Sequence, residues 1–247
     1  MSEKFVKPHY GYYALPIFAI LSAIIVAVGI LVAILAWLFV GLILIGFGVY
    51  MILSYGVSLL LMDQTKASEL PRIIELRGDE RVLDVGCGLG KMTIGIAKAL
   101  KEGKVIGIDI WDKMEISGNS PERAYANARL EGVHDKVEFR TGNVLSIPFR
   151  DNSFDIVTSS SVINNLHDDS KKLEALEEIF RVLQPGGRFL LLEPLRDLQG
   201  AFIFTPFFVW MLLPKGRWIT LLEKVGFVNL RYDHYQRMGL FLAEKPM

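Results

Sequence analysis

The chain has 247 residues, with 27 basic and 27 acidic side chains, and 51% of its residues are hydrophobic. A zero net charge without a basic block argues against a nucleic-acid partner. The single cysteine, Cys87, excludes an internal disulfide and is expected to be a small apolar filler rather than a nucleophile. The four histidines lack metal-ligand spacing, so we expect no metal site.

The N-terminal quarter, residues 1–62, is predicted to be a transmembrane hairpin. No charged residue or histidine occurs from Tyr10 to Met62. Because one helix needs about 20 apolar residues to cross a bilayer, this run is long enough for two helices, at about 14–35 and 42–62, with a turn near Trp37. A signal peptide has a much shorter apolar core, and a buried hairpin would rarely lack any charge. Lysines on both flanks place both ends of the hairpin in the cytoplasm.

The remaining residues, 63–247, are predicted to form one α/β domain. An apolar, β-branched strand at Arg81–Val85 runs into three glycines at alternate positions: Gly86, Gly88 and Gly90. Glycines there let the backbone turn sharply and approach a ligand closely. The next strand ends on Asp109, and a carboxylate at that end of a parallel strand can accept the hydroxyls of a ribose. These residues predict a site for a nucleoside-containing cofactor.

The glycine spacing distinguishes two kinds of cofactor. A dinucleotide fingerprint needs its third glycine at position 91, where the chain has Lys91. The observed Gly-x-Gly-x-Gly, preceded by Asp84, resembles motif I of the class I S-adenosylmethionine-dependent methyltransferases. Later landmarks of that family follow in order: Asp109, Thr141–Asn143, Phe154–Val157, Leu183–Phe189 and Leu221–Phe227. The resemblance covers about residues 65–247 and implies a Rossmann-like, seven-stranded sheet that binds S-adenosyl-L-methionine.

The same resemblance implies roles for individual residues. The glycine loop would approach the methionyl part of the cofactor, and Asp84 would reach its ammonium group. Asp109 would accept the ribose hydroxyls, while Ile110 and Trp111 would flank the adenine. Asn143 stands where relatives often have an acid that accepts a hydrogen bond from the adenine amino group, a bond that an amide oxygen can also accept. The full predicted cofactor site is Asp84, Gly86, Cys87, Gly88, Gly90, Asp109, Ile110, Trp111, Gly142, Asn143, Val144 and Ser160.

Catalytic candidates follow the predicted fourth strand, at the carboxyl edge of the sheet. His167 is predicted to be a general base because its pKa lies near the working pH, and Asn165 is the second candidate. The acids after His167 look like a helix N-cap, so this histidine could equally be a solvated loop residue. His234 is a weaker candidate base. Methyl transfer rests mainly on holding acceptor and methyl group in line, and a base is needed only if the acceptor must lose a proton.

A second apolar segment lies at residues 198–213. It carries no charge and contains five aromatic residues: Phe202, Phe204, Phe207, Phe208 and Trp210. Since this segment is too short for a confident membrane span, we expect it either to dip into the membrane as a lid over the acceptor or to pack on the sheet as core.

The leading hypothesis is a membrane-bound methyltransferase whose partners are membrane lipid and a lipophilic small-molecule acceptor, such as a quinone precursor or a lipid. The alternatives are a non-catalytic membrane scaffold with the same fold and a nicotinamide-dependent reductase, against which Lys91 argues. The acceptor atom stays open. Because the glycine loop and Asp109 lie outside the hairpin, a chain lacking residues 1–62 is expected to retain cofactor binding.

Overall fold

The computed structural model describes residues 7–35, 37–61, 73–166, 168–198, 209–235 and 238–247. Its first elements are two long apolar helices that pack against each other, α1 (Leu15–Leu35) and α2 (Leu38–Leu61). Both are long and apolar enough to cross a membrane, and only 11% and 22% of their most apolar windows are buried. Unlike core helices of a soluble protein, they present most of their apolar side chains outward.

The second helix begins at Leu38, earlier than the predicted start at residue 42. Gly41, expected in the turn, lies inside α2, where a Cβ atom would come within 2.4 Å of the Ala33 Cβ. A Cβ atom on Gly29 would likewise lie 2.9 Å from Ile45. Gly41 therefore lies where the backbones of α1 and α2 approach closely, a position that small residues often occupy in membrane helices.

The rest of the chain builds a seven-stranded sheet in the order β3-β2-β1-β4-β5-β7-β6. The strands are β1 (Arg81–Val85), β2 (Lys104–Asp109), β3 (Val137–Thr141), β4 (Phe154–Ser160), β5 (Leu183–Glu193), β6 (Val228–Tyr235) and β7 (Met238–Glu244). The first five are parallel, while β7 runs antiparallel between β5 and β6. The predicted fold class, an α/β seven-stranded sheet preceded by two apolar helices, is confirmed.

Among the described residues, four further α-helices cover the two faces of the sheet. They are α3 (Lys91–Ala99), α4 (Pro121–Leu130), α5 (Asp169–Val182) and α6 (Lys215–Val225). Helices α3 and α4 share one buried apolar cluster, and α5 and α6 share the other. The strand order reverses between β1 and its neighbours β2 and β4, and in such sheets the crevice at the carboxyl ends of these strands is the usual ligand site.

A short segment before α1, residues 9–14, packs against the α/β domain; we call it the N-terminal strap. Tyr10 is 4% exposed and belongs to the apolar cluster of α3 and α4, and its hydroxyl donates a hydrogen bond to Glu131. The His9 backbone N–H donates to the Asn127 side chain, which donates back to the His9 carbonyl. The N-terminal strap, which lies before the predicted domain boundary at residue 62, therefore contacts the α/β domain directly.

Candidate functional site

The loop after β1 is built from glycines that adopt backbone conformations unfavourable for other residues. Gly86, Gly88 and Gly90 have φ angles of 68°, 50° and 87°, which side chains with a Cβ rarely tolerate. A Cβ atom on Gly86 would lie 2.1 Å from the Val162 side chain. The loop therefore presents bare backbone at the carboxyl end of β1, directly before α3.

Asp84 lies beneath this loop and is 1% exposed. Its two carboxylate oxygens accept hydrogen bonds from the hydroxyls of Thr158, at 2.8 Å, and Thr93, at 2.5 Å. Burial raises the pKa of Asp84 to about 6, although the two hydroxyl bonds oppose the shift. Asp84 is therefore a buried carboxylate that is mostly ionised at neutral pH. The two hydroxyls that donate to it are uncharged.

Asp109, at the end of β2, joins the glycine loop to the segment that follows it, residues 111–119, which we call the flap. Its Oδ2 accepts from the Gly88 N–H at 2.8 Å, and its Oδ1 accepts from the Trp111 N–H at 2.7 Å and from Asn119 at 3.0 Å. A carboxylate offers about four acceptor positions, so this one retains acceptor capacity. The Asn119 Oδ1 is buried without a partner among the described residues.

The predicted adenine-side residues lie together at the ends of β2 and β3. The Trp111 indole N–H donates to Thr141 at 3.1 Å, and the Ile110 side chain is exposed. Gly142 donates its N–H to the Asp109 carbonyl, and Val144 is buried. The Asn143 side-chain oxygen accepts from the Leu145 N–H at 2.9 Å, so the atom predicted to meet the adenine amino group already has a partner. Its role stays a prediction.

On the other side of the crevice, Glu193 organises the loop that follows Ser160 at the end of β4. Glu193 is fully buried, and its Oε1 accepts from three successive backbone N–H groups: Val162, Ile163 and Asn164. Its Oε2 has no partner within the described chain. Burial raises the pKa of Glu193 to about 7. Sequence reasoning missed this residue, although it ends an apolar strand with a carboxylate, the same signal that identified Asp109.

Asn165, the predicted catalytic residue that the structure describes, lies where this loop meets the strap and the flap. Its Oδ1 accepts from the Tyr13 hydroxyl at 2.5 Å, and its Nδ2 lies 3.4 Å from the Ser161 carbonyl. Asn165 also lowers the pKa of the nearby Glu115 carboxyl, against the larger, raising effect of burial. The other catalytic candidate, His167, lies outside the described residues. Tyr13, Glu115 and Asn119 had no local motif that could have found them.

The structure also places two other residues that the sequence singled out, Cys87 and His234. Cys87 is buried, and burial raises the pKa of its thiol, so no reactive thiolate forms at neutral pH. His234 lies on the edge strand β6 and contacts the Tyr232 hydroxyl at 3.0 Å. Within the part of the chain that the structure describes, no group of three His, Cys, Asp or Glu side chains could hold a metal ion.

The crevice fits the kind of cofactor that the sequence predicts. A Cβ atom on Gly88 would lie 2.6 Å from the Ile116 side chain of the flap, so the loop and the flap pack too closely for a side chain at this position. The buried carboxylates Asp84 and Asp109 lie next to this loop, Asp84 at the end of β1 and Asp109 bonded to the Gly88 N–H. Two buried carboxylates favour a ligand that carries positive charge and hydroxyl donors, as a sulfonium nucleoside with an ammonium group does.

Comparison with known proteins agrees with this geometry. A family described as "Methyltransferase domain" matches residues 83–191. A demethylmenaquinone methyltransferase of Lactiplantibacillus plantarum is 41% identical over 121 residues, 49% of this chain and 47% of the relative. A demethylmenaquinone methyltransferase of Symbiobacterium thermophilum is 34% identical over 151 residues, 57% of each chain. The chain thus spans about half the length of these curated relatives.

Solved structures share the fold at low sequence identity. A SAM-dependent methyltransferase of Aquifex aeolicus superposes with a TM-score of 0.59 at 20% identity, covering 76% of this chain and 97% of that one. One from Methanosarcina mazei gives a TM-score of 0.58 at 22% identity, covering 71% and 97%. Each superposition covers 97% of the solved structure but leaves about a quarter of this chain without a counterpart.

Proposed function

Since the chain belongs to the class I S-adenosylmethionine-dependent methyltransferases, we propose that it methylates a lipophilic small molecule at a membrane surface. When bound, S-adenosyl-L-methionine supplies an electrophilic methyl group on a sulfonium, a leaving group that needs no protonation. The relatives named for demethylmenaquinone support a quinone with an apolar tail as the acceptor class. The acceptor would sit beside Ser160 and Asn165, at the ends of β4 and β5.

The observation that carries this proposal is that the apolar helices start at the crevice itself. The Ala14 N–H donates to the Glu115 carbonyl of the flap at 2.6 Å, and α1 begins at the next residue. The Tyr55 hydroxyl, from the far half of α2, donates to the Tyr13 carbonyl. If the two helices span a membrane, the crevice opens at its surface, so an apolar acceptor could enter without crossing water.

The outward surface of the hairpin supports membrane insertion. Apolar side chains near its turn are among the most exposed of the molecule, with Ile34 at 75% and Phe39 at 76%. In water such a surface would be a liability, whereas in lipid it is favourable. Lysines flank the apolar run on both sides, which supports a two-helix anchor with the α/β domain on the cytoplasmic side.

The second apolar segment, 198–213, remains part of the proposal as a membrane-facing lid. Residues 199–208 lie outside those described. At its ends, Leu198 is 81% exposed and Trp210 is 75% exposed, with the Arg196 guanidinium over the Trp210 ring. An exposed tryptophan beside an arginine suits the headgroup region of a membrane. Val209, in contrast, is buried, as the alternative of packing on the sheet requires.

In this proposal the protein contributes binding, orientation and exclusion of water. Asp84 would attract the ammonium group of the cofactor, and Asp109 would accept its ribose hydroxyls. Holding two reactants in line can contribute about 7–11 kcal/mol to lowering a barrier, so positioning by the loop after β4 matters more than a strong base. If the acceptor must lose a proton, His167 remains the proposed base.

Asp84 makes the binding of S-adenosylhomocysteine dependent on pH. Because burial raises the pKa of Asp84 to about 6, this carboxyl is neutral below that value and cannot attract an ammonium group. Affinity should fall about tenfold between pH 7 and pH 5, since binding then requires loss of a proton. Calorimetry across this range measures the effect. Asp84→Asn should bind weakly with little dependence on pH, and an equal slope in that variant would contradict the assignment.

A two-step experiment tests the proposed function. Membranes that contain the full chain are washed with carbonate, and a hairpin held by apolar burial should keep the protein in the pellet. The pellet then receives S-adenosylmethionine labelled in its methyl group, together with demethylmenaquinol, the reduced quinone. We expect label in the extracted quinone, and much less label with Asp109→Ala. Release by carbonate would contradict the membrane anchor. Binding of S-adenosylhomocysteine without transfer to quinone, lipid or any soluble product would favour the scaffold alternative.

A further inference from the structure

The N-terminal strap and the flap pair like two short antiparallel strands. Tyr12 and Ser117 exchange hydrogen bonds, from the Tyr12 N–H to the Ser117 hydroxyl at 3.0 Å and from the Ser117 N–H to the Tyr12 carbonyl at 3.1 Å. Tyr13 lies opposite Ile116 in an antiparallel bridge. Residues 12–14 of the strap are therefore part of the wall of the crevice, and they continue directly into α1.

The Tyr13 side chain reaches across to the loop after β4. Its hydroxyl donates to the Asn165 Oδ1 at 2.5 Å, a contact between residues 152 positions apart. Burial, with the nearby charge of Glu115 as the second cause, raises the pKa of Tyr13 well above its usual value. The phenol therefore stays protonated throughout the physiological pH range, and it acts as a hydrogen-bond donor rather than as a base.

These contacts hold the Asn165 amide in one orientation. Tyr13 donates to its oxygen, while its Nδ2 faces the Ser161 carbonyl. The backbone beneath it is fixed separately, by the bonds from three N–H groups to Glu193. Removal of the Tyr13 hydroxyl would free the side chain of Asn165 and loosen its loop without removing the Glu193 contacts.

We propose that Tyr13 is a positioning residue for methyl transfer: its hydroxyl holds Asn165, and with it the loop of residues 161–166, at the acceptor side of the crevice. Because the Tyr55 hydroxyl of α2 holds the Tyr13 carbonyl, the same residue links the apolar hairpin to the geometry of the site. The proposal rests on the proposed methyltransferase function and adds to it a residue from outside the α/β domain. Correct packing of the hairpin is thereby a condition for turnover.

The test compares two tyrosines of the strap in the full-length chain, purified in lipid nanodiscs. Tyr13→Phe removes the hydroxyl that meets Asn165 and keeps the ring. Tyr10→Phe is the matched control, because it also removes a partly buried phenol–acceptor hydrogen bond, to Glu131 at the end of α4. Three quantities are measured for each: the affinity for S-adenosylhomocysteine, hydrogen–deuterium exchange of the backbone amides of residues 161–166, and kcat and KM with demethylmenaquinol.

For Tyr13→Phe we expect kcat to fall by about tenfold or more while affinity for S-adenosylhomocysteine changes by less than about twofold. Exchange of residues 161–166 should become faster. Tyr10→Phe should change neither kcat nor this exchange. In a double-mutant cycle, Tyr13→Phe should cost no further activity once Asn165 is Ala, because the two residues then act through one contact.

Equal exchange in Tyr13→Phe and the wild type, or full kcat in Tyr13→Phe, would overturn the positioning role. Additive losses in the cycle would also overturn it, because Tyr13 would then act by another route. A wild-type chain that binds S-adenosylhomocysteine but does not methylate demethylmenaquinol would refute the proposed acceptor instead. In that case the hydrogen–deuterium exchange of residues 161–166, which needs no acceptor, still shows whether Tyr13 holds the loop in place.

Discussion

Asp109→Ala is expected to weaken the binding of S-adenosylhomocysteine by about tenfold or more, equivalent to about 1.4 kcal/mol or more. The substitution removes the predicted charged acceptor of the ribose hydroxyls. It also leaves the N–H groups of Gly88 and Trp111 without the acceptor that they share, so the loop and the flap lose their common anchor. Calorimetry on the full-length chain in nanodiscs measures the change.

The matched control for this substitution is Asp112→Ala. Asp112 lies in the same flap and accepts a backbone N–H, that of Met114 at 2.7 Å, but does not contact the glycine loop through that bond. If loss of flap structure alone weakened binding, both variants would bind equally poorly. We expect Asp112→Ala to stay within about threefold of the wild type. An unchanged affinity in Asp109→Ala would show that the ribose is held elsewhere.

The fold, and the placement of the glycine loop and Asp109 at one edge of the sheet, could be predicted because their signals are local. Strand β1, the glycine loop and Asp109 occupy a short stretch of sequence, and each position has a recognisable physical reason. An apolar run predicts a buried strand, alternate glycines predict a tight loop, and a carboxylate that ends a strand predicts a polar ligand. The seven-stranded sheet followed from the order of the family landmarks along the chain, as the resemblance implied.

The surroundings of the loop after β4 could not be predicted in the same way, because the contacts there join distant parts of the chain. Tyr13 lies in a stretch that reads as the start of an apolar helix, and nothing near it indicates a partner 152 positions away. Asn143 was assigned from the family pattern, yet its oxygen bonds to the next turn of its own loop. Glu193 had a usable signal, but its role depends on how the loop after β4 folds back over it.

The strap also changes what is expected when the hairpin is removed. A chain lacking residues 1–62 was predicted to keep cofactor binding, because the glycine loop and Asp109 lie outside that segment. In the structure the segment supplies a core residue, Tyr10, and the backbone partners of Asn127, which also donates to the Leu89 carbonyl within the glycine loop. Removal would expose apolar surface and leave polar groups of the α/β domain unpaired.

We therefore expect deletion of residues 1–62 to destabilise the α/β domain by about 3–5 kcal/mol, the usual cost of removing a large buried aromatic side chain. Affinity for S-adenosylhomocysteine should fall by about tenfold or more, because the flap loses its partner strand.

The informative control retains residues 1–14 and replaces 15–62 by a flexible Gly/Ser linker. This chain lacks the apolar helices but keeps the strap, so it should bind S-adenosylhomocysteine within about threefold of the full-length protein. Thermal unfolding and calorimetry on the two truncated chains separate the contributions. Equal, undiminished binding by both would mean that the strap plays no part in the cofactor site. Equal loss in both would mean that the helices themselves are needed to hold it in place.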